Sequence, residues 1–151
     1  MSARSKSRKR ALDILFAADA RGVDPLEVLS ERLELTRNPS LGGSPAQVTP
    51  LGDYAEELVR GVAQHRDRLD EVIAGHARGW SLDRMPAVDR VVLRMAAFEL
   101  LYVPDVPPAV AIDEAVELAK TLSTDDSPRF VNGVLGQLVP DVGQLRAQNS
   151  A

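Results

Sequence analysis

The chain has 151 residues, a length that suits one domain able to bury roughly 68–70% of the surface its unfolded form exposes. It contains no cysteine, which excludes a disulfide framework, a thiolate zinc site, an iron–sulfur cluster and a cysteine nucleophile. The net charge of −4 hides an asymmetry: residues 1–21 carry six basic and two acidic side chains, a balance of +4, so the remainder carries −8.

Helical periodicity dominates the chain. From about Arg8 to Ala20, Ala11, Leu12, Leu15 and Ala18 share one helix face, and Gly22 ends the segment. Asp24-Pro25-Leu26-Glu27 reads as an N-cap, a first-position Pro and a capping-box Glu, opening a helix with Val28, Leu29 and Leu33 that reaches about Leu35. The stretch 36–50, rich in Pro, Gly and small polar residues, reads as a flexible loop. Residues 51–76 fit one or two helices, with a break near Gln64 to Asp67. Ser81 can cap a short turn before Pro86. Residues 86–102 form the strongest core helix, with Val88, Val91, Val92, Met95, Phe98 and Leu101 at three- and four-residue spacing. Pro104, Pro107 and Pro108 end it, and a helix over 109–122 follows. Ser127-Pro128 reads as an N-cap and first-position Pro for a last helix carrying Val131, Val134, Leu135 and Leu138. The expected organisation is a basic arm over 1–10, a single helical domain over 8–140 with the loop 36–50, and a frayed tail over 141–151. With no useful β-alternation, the fold class is all-α, with about seven helices.

No apolar run approaches the roughly 18 residues of a membrane span. Asp13 and Asp19 interrupt the apolar stretch that a secretory signal would need. The chain reads as soluble and cytoplasmic, with no membrane partner. His65 and His76 have no metal-ligand spacing, Gly42-Gly43 lacks the context of a phosphate loop, and no GxSxG elbow occurs. Asp125-Asp126, just before a Pro-initiated helix, suits its positive dipole end better than a catalytic pair. The sequence therefore reads as a non-enzyme with no cofactor and no metal.

The cations at the start point elsewhere. Fifteen of the 18 are Arg, whose planar fork suits phosphate and whose face stacks on bases. At the positive end of a helix each typically costs about 0.3–1 kcal/mol, a cost that a bound polyanion relieves. A solvated tail that aids solubility is the alternative. Phe130 fits a core position or, with its ring outward, a base-stacking one. Arg90 and Arg94 share a helix face, which is either partner-facing or simply solvated.

Several segments carry a resemblance: VDRVVLRMAAFEL at 88–100, Val106-Pro107, AIDEAVELAK at 111–120, DSPRFVNGVL at 126–135, RKRALDILF at 8–16 and WSLDR at 80–84. Together they resemble the NusB family of bacterial transcription antitermination factors, with FVNGVL at 130–135 the most specific run. Phe16 stands where that family commonly has Tyr, and Gly136-Gln137 replaces its usual acidic–basic continuation. The resemblance implies two packed small helical bundles and a role in binding boxA RNA of ribosomal RNA leaders. It implies NusE, a small-subunit ribosomal protein, as partner, and NusA, NusG and RNA polymerase in the larger complex. By position it assigns RNA contact to Arg4, Lys6, Arg8, Lys9, Arg10, Arg90, Asp126 and Phe130, and NusE contact to Asp89, Arg94 and Glu99. The free protein is expected as a monomer or homodimer. Two other classes remain open: a helical protein-interaction module, and a free-standing relative of the N-terminal domain of ribosomal RNA cytosine methyltransferases.

Overall fold

Ser2 decides where the first helix begins. Its hydroxyl accepts from the Ser5 N–H at 3.0 Å, so α1 spans Ala3–Arg21 and the expected basic arm is already helical. The computed structural model describes residues 2–149, so Met1 of that arm and residues 150–151 of the expected tail lie outside the described residues. Two compact units result, residues 1–64 and 65–151, each a small helical bundle as the resemblance implied.

In the first unit, α1 buries Ala11, Leu12, Ile14, Leu15 and Ala18 and packs against α2 (Pro25–Arg37) and α4 (Asp53–Gln64). Gly22, at φ +67°, turns the chain out of α1, and the Val23 N–H closes back on the Ala18 carbonyl at 3.1 Å. Only glycine adopts that left-handed conformation without strain. Asp24 caps α2 as expected, accepting from the Leu26 N–H at 2.8 Å, and Val28 and Leu29 face inward. From α4 come Ala55, Leu58, Val59 and Val62. The stretch 36–50 is more ordered than a flexible loop: it holds a 3-10 turn at Pro39–Leu41 and a single helical turn, α3 (Pro45–Val48). A capping box forms there, with Ser44 Oγ accepting from the Gln47 N–H and Gln47 Oε1 from the Ser44 N–H.

The second unit is built around α6 (Ala87–Tyr102), flanked by α5 (Arg66–His76), α7 (Pro108–Leu122), α8 (Ser127–Leu138) and α9 (Val142–Asn149). Every residue from Val91 to Leu101 is buried, so α6 has no solvent face over that length. The tail expected to fray is held for a definite reason. The last carbonyls of a helix lack intrahelical donors, and here Arg146 Nε donates to Leu100 O at 2.7 Å and Asn149 Nδ2 to Leu101 O at 3.0 Å. The short α9 thus closes the end of α6, and Val142 adds a buried contact. Among the described residues the helices number nine, with three 3-10 turns and no strand. None is long and apolar enough to cross a membrane.

Ser127 departs from its expected role. It is the first residue of α8, not the N-cap, and its hydroxyl turns inward to Asp89 of α6 at 2.9 Å. Ser123 Oγ donates to the other Asp89 oxygen at 2.6 Å, while the Thr124 N–H donates to Ser127 Oγ at 3.2 Å. Both oxygens of a carboxylate only 2% exposed are thereby satisfied, and the turn between α7 and α8 is tied to the central helix. Replacing Asp89 by Ala removes the carboxylate acceptor of both serine hydroxyls, which keep only their contacts with each other and with Thr124. We expect Asp89→Ala to lower unfolding stability by about 2–4 kcal/mol, read from the urea midpoint, with Asp89→Asn losing less. A loss below about 0.5 kcal/mol for the alanine variant would contradict this account.

Candidate nucleic-acid interface

The first part of the site lies on α1. Lys6 and Lys9 are exposed, Arg10 is half-buried, and no acidic residue stands in the first turn to offset them. Arg4 is exposed, with its guanidinium carbon 4.3 Å from the centre of the Tyr54 ring. That is cation–π distance. Arg8 differs from its neighbours. It is only 3% exposed and approaches the same ring at 5.8 Å, so its guanidinium belongs to the packing between α1 and α4 and is not displayed for an external phosphate.

The second part lies in the second unit, where the segment between α5 and α6 meets the start of α8. Trp80 is 52% exposed, and its indole meets the Phe130 ring edge to face, at 6.1 Å and 69°. Phe130 is half-buried, so neither the core reading nor the fully outward one describes it: one side packs and the other faces a cleft. This cleft, about 560 Å³, has Met85 and Pro86 as apolar lining and Asp126 and Arg129 as its exposed charged groups. A smaller cleft of about 270 Å³ adjoins the same aromatic pair, lined also by His76, Arg78 and Gly133. Asp126 occupies the N-cap position of α8 without a side-chain capping bond, so the expected dipole role does not extend to a hydrogen-bonded cap.

Three residues assigned to a partner protein by resemblance are inside the second unit. Asp89 is committed to Ser123 and Ser127. Arg94, 6% exposed, makes a bidentate pair with Asp70 of α5, Nε to Oδ1 at 2.7 Å and Nη2 to Oδ2 at 3.1 Å. Glu99 is 2% exposed. At such burial these side chains support the surface of the unit from beneath. The paired reading of Arg90 and Arg94 as one exposed stripe fails for the same reason. Arg90 is half-buried and donates through Nη1 to the carbonyls of Leu82 and Met85 at 2.9 and 3.2 Å, which fixes the turn leading into α6. Trp80 escaped the sequence reading as a site residue. The available signal was a lone Trp in a Gly-Trp-Ser turn, outside every apolar helical stripe.

His76 sits at the end of α5, next to the smaller cleft. Nδ1 is 2.7 Å from Val72 O and Nε2 is 2.7 Å from an oxygen of Asp141, in the turn between α8 and α9. Partial burial pulls its pKa down, but the Val72 carbonyl and the hydrogen bond and charge of Asp141 outweigh that and raise it above 6.5. The charged ring donates to both acceptors at once.

These features define an all-helical protein with two small bundles, a cation-bearing helix end and an exposed aromatic cleft. Residues 5–140 match the NusB family. The chain is 55% identical over 148 residues to the transcription antitermination protein NusB of Saccharopolyspora erythraea, covering 97% of this chain and 93% of that one. It is 57% identical over 141 residues to the NusB of Salinispora arenicola, covering 91% and 96%. Among solved structures, T. maritima NusB superposes with a TM-score of 0.73 at 32% identity, covering 93% of this chain and 92% of that chain. A crystal structure of the antitermination factors NusB and NusE in complex with dsRNA gives 0.71 at 28% identity, covering 91% and 96%. The chain belongs to the NusB family.

The His76 geometry sets a pH dependence. A raised native pKa means that the folded state holds a proton that the unfolded chain releases near pH 6.5. Its contribution is complete below that pH and is lost as pH rises through the native pKa. Urea melts at about pH 6 and about pH 8.5 should show stability declining with pH, and His76→Gln should flatten the decline. Identical pH profiles for the two proteins would remove His76 as its source.

Proposed function

We propose that this protein is an RNA-binding transcription antitermination factor that binds boxA RNA of ribosomal RNA leaders together with NusE. In the cytoplasm the pair joins NusA, NusG and RNA polymerase, and the polymerase then resists premature termination. The protein itself carries out no chemistry. The observation that carries this reading is the N-terminal end of α1, where Arg4, Lys6 and Lys9 are exposed at the positive end of a helix with no acidic residue in its first turn. Stability alone favours the opposite charge there. Family membership gives the reading its particular form, and the solved relative that holds both NusE and RNA supports both partners.

Exposed cations contact phosphate and release counterions, so their number appears in the salt dependence of binding. Lys6→Ala with Lys9→Ala should weaken boxA binding and flatten the slope of log K against log salt by about 0.7 for each phosphate that is no longer neutralised. Fluorescence anisotropy of labelled boxA RNA, with and without NusE, measures both quantities. Arg8→Ala, in contrast, removes a buried side chain and is expected to lower stability first. If the double lysine variant keeps the wild-type slope, α1 has no part in RNA binding and the helical protein-interaction module becomes the better reading.

A further inference from the structure

We infer that α9 is a pH-gated clasp: a proton on His76 holds it against α5 and α6, and loss of that proton frees it while the other helices of the second unit stay folded.

The way α9 is attached separates it from its neighbours. Val142 is its one buried residue, whereas α8 buries Val131, Val134, Leu135 and Leu138. Polar contacts therefore hold it. It runs antiparallel to α5: Arg68, near the start of α5, donates to Gln148 at 2.7 Å, and His76, at the end of α5, meets Asp141, the residue before α9, at 2.7 Å. At its far end Arg146 and Asn149 donate to the Leu100 and Leu101 carbonyls. The Arg146 contact is incomplete, because its Nη2 is buried and has no hydrogen-bond partner among the described residues. A buried donor left unpaired has lost its hydration without compensation. With little apolar burial and one donor unanswered, α9 belongs to the low end of local stability within the unit.

The proton matters because the ring has an acceptor at each nitrogen. Nδ1 faces the Val72 carbonyl and Nε2 an oxygen of Asp141, both at 2.7 Å. An imidazolium donates to both, but a neutral imidazole has one N–H and turns a lone pair toward the other oxygen. Val72 lies within α5 and cannot retreat without unwinding that helix. Asp141, its side chain 53% exposed, sits in the 3-10 turn Val139–Asp141, so the contact that yields is the one at the base of α9. Although partial burial opposes the charge, the two acceptors raise the ring's pKa above 6.5. The clasp is thus closed below that pH and opens as pH rises through the native pKa.

The other charged groups around His76 do not titrate in its place. Arg78, in the turn after α5, and Arg129 of α8 border the cleft beside the ring, and both stay cationic throughout. On α6, Asp89 holds the serines, Arg90 the carbonyls before the helix and Arg94 the Asp70 carboxylate. Glu99 follows Phe98, whose ring meets His65 at the opposite end of α5. In the 3-10 turn Leu82–Arg84, Asp83 and Arg84 are exposed and of opposite sign. Release of α9 uncovers the Leu100 and Leu101 carbonyls, an acceptor edge at the end of the central helix that closed α9 covers.

A free helix of eight residues is unstable in water, so a released α9 melts and its carbon shifts report it. Carbon-detected NMR of the full chain is recorded from about pH 5.5 to about pH 8.5, with the His76 ring carbons and the Cα shifts of Leu145–Asn149 followed together. The α9 shifts are expected to lose most of their helical displacement with the midpoint of the His76 ring, while those of Val131–Leu138 stay helical. His76→Leu should leave α9 melted at both ends of the range. Asp141→Asn should keep it docked at both, because the amide donates to the Nε2 lone pair of the neutral ring. Helical α8 shifts in each variant show that it folds. The clasp is overturned if α9 stays helical through the His76 titration, if it melts with a different midpoint, or if α8 melts with it.

Discussion

Burial of α6 along its length is the constraint on which the second bundle depends. A helix with no solvent face cannot leave a charge unanswered, because an unpaired buried ion costs several kcal/mol. Asp89, Arg94 and Glu99 are all buried on it, and Arg90 is half-buried. Each of the first two has a visible consequence. Asp89 gathers two serine hydroxyls and so fixes the start of α8, which carries Phe130. Arg94 ties α5 to α6 through Asp70. Arg90 holds the carbonyls of Leu82 and Met85 and so fixes the turn that follows Trp80. The two aromatic walls of the cleft are therefore set from beneath by two charged residues one position apart on the central helix.

The first bundle handles charge in a different way. Its helix α1 begins with cations where the helix macrodipole disfavours them, yet it continues into a buried stripe from Ala11 to Ala18 that holds it in place. Arg8 joins that packing, and Arg4 lies over Tyr54. The cations are thus displayed from an ordered helix rather than from a loose tail. Ordering them in advance lowers the conformational entropy that a polyanion would otherwise have to remove on binding.

Much of the fold was legible because helices announce themselves by period and punctuation. The all-α class, the Asp24 cap, the stop at Gly22 and the break around His65 all follow from local rules that the structure obeys. Three features were not legible because they depend on partners distant in sequence. The ordered tail needs the orphan carbonyls of α6, 46 and 48 residues earlier in the chain. The inward turn of Ser127 needs Asp89, 38 residues away. The burial of Arg8 needs α4, which no periodicity within α1 reveals. The same limit applied to the site: the motifs named residues on α6, but only the structure shows that Asp89, Arg94 and Glu99 are buried inside the unit. Trp80 lies in the matching run at 80–84, but a lone aromatic in a turn gives no local sign that its ring stands exposed beside Phe130.

On the proposed reading, two kinds of contact divide the work of RNA binding, and they obey different physics. Lysines and arginines on α1 act through counterion release, which is strong at low salt, falls steeply as salt rises and takes no account of sequence. Stacking of bases on exposed aromatic rings and hydrogen bonding to base edges involve little net ion release, so their contribution changes little with ionic strength. Total affinity and discrimination between bases should then separate as salt increases: the first collapses while the ratio between a preferred and an unpreferred RNA is retained. A protein whose net charge is −4 can bind RNA under those terms, because long-range attraction needs only the local +4 of its first 21 residues and selection needs no positive charge at all.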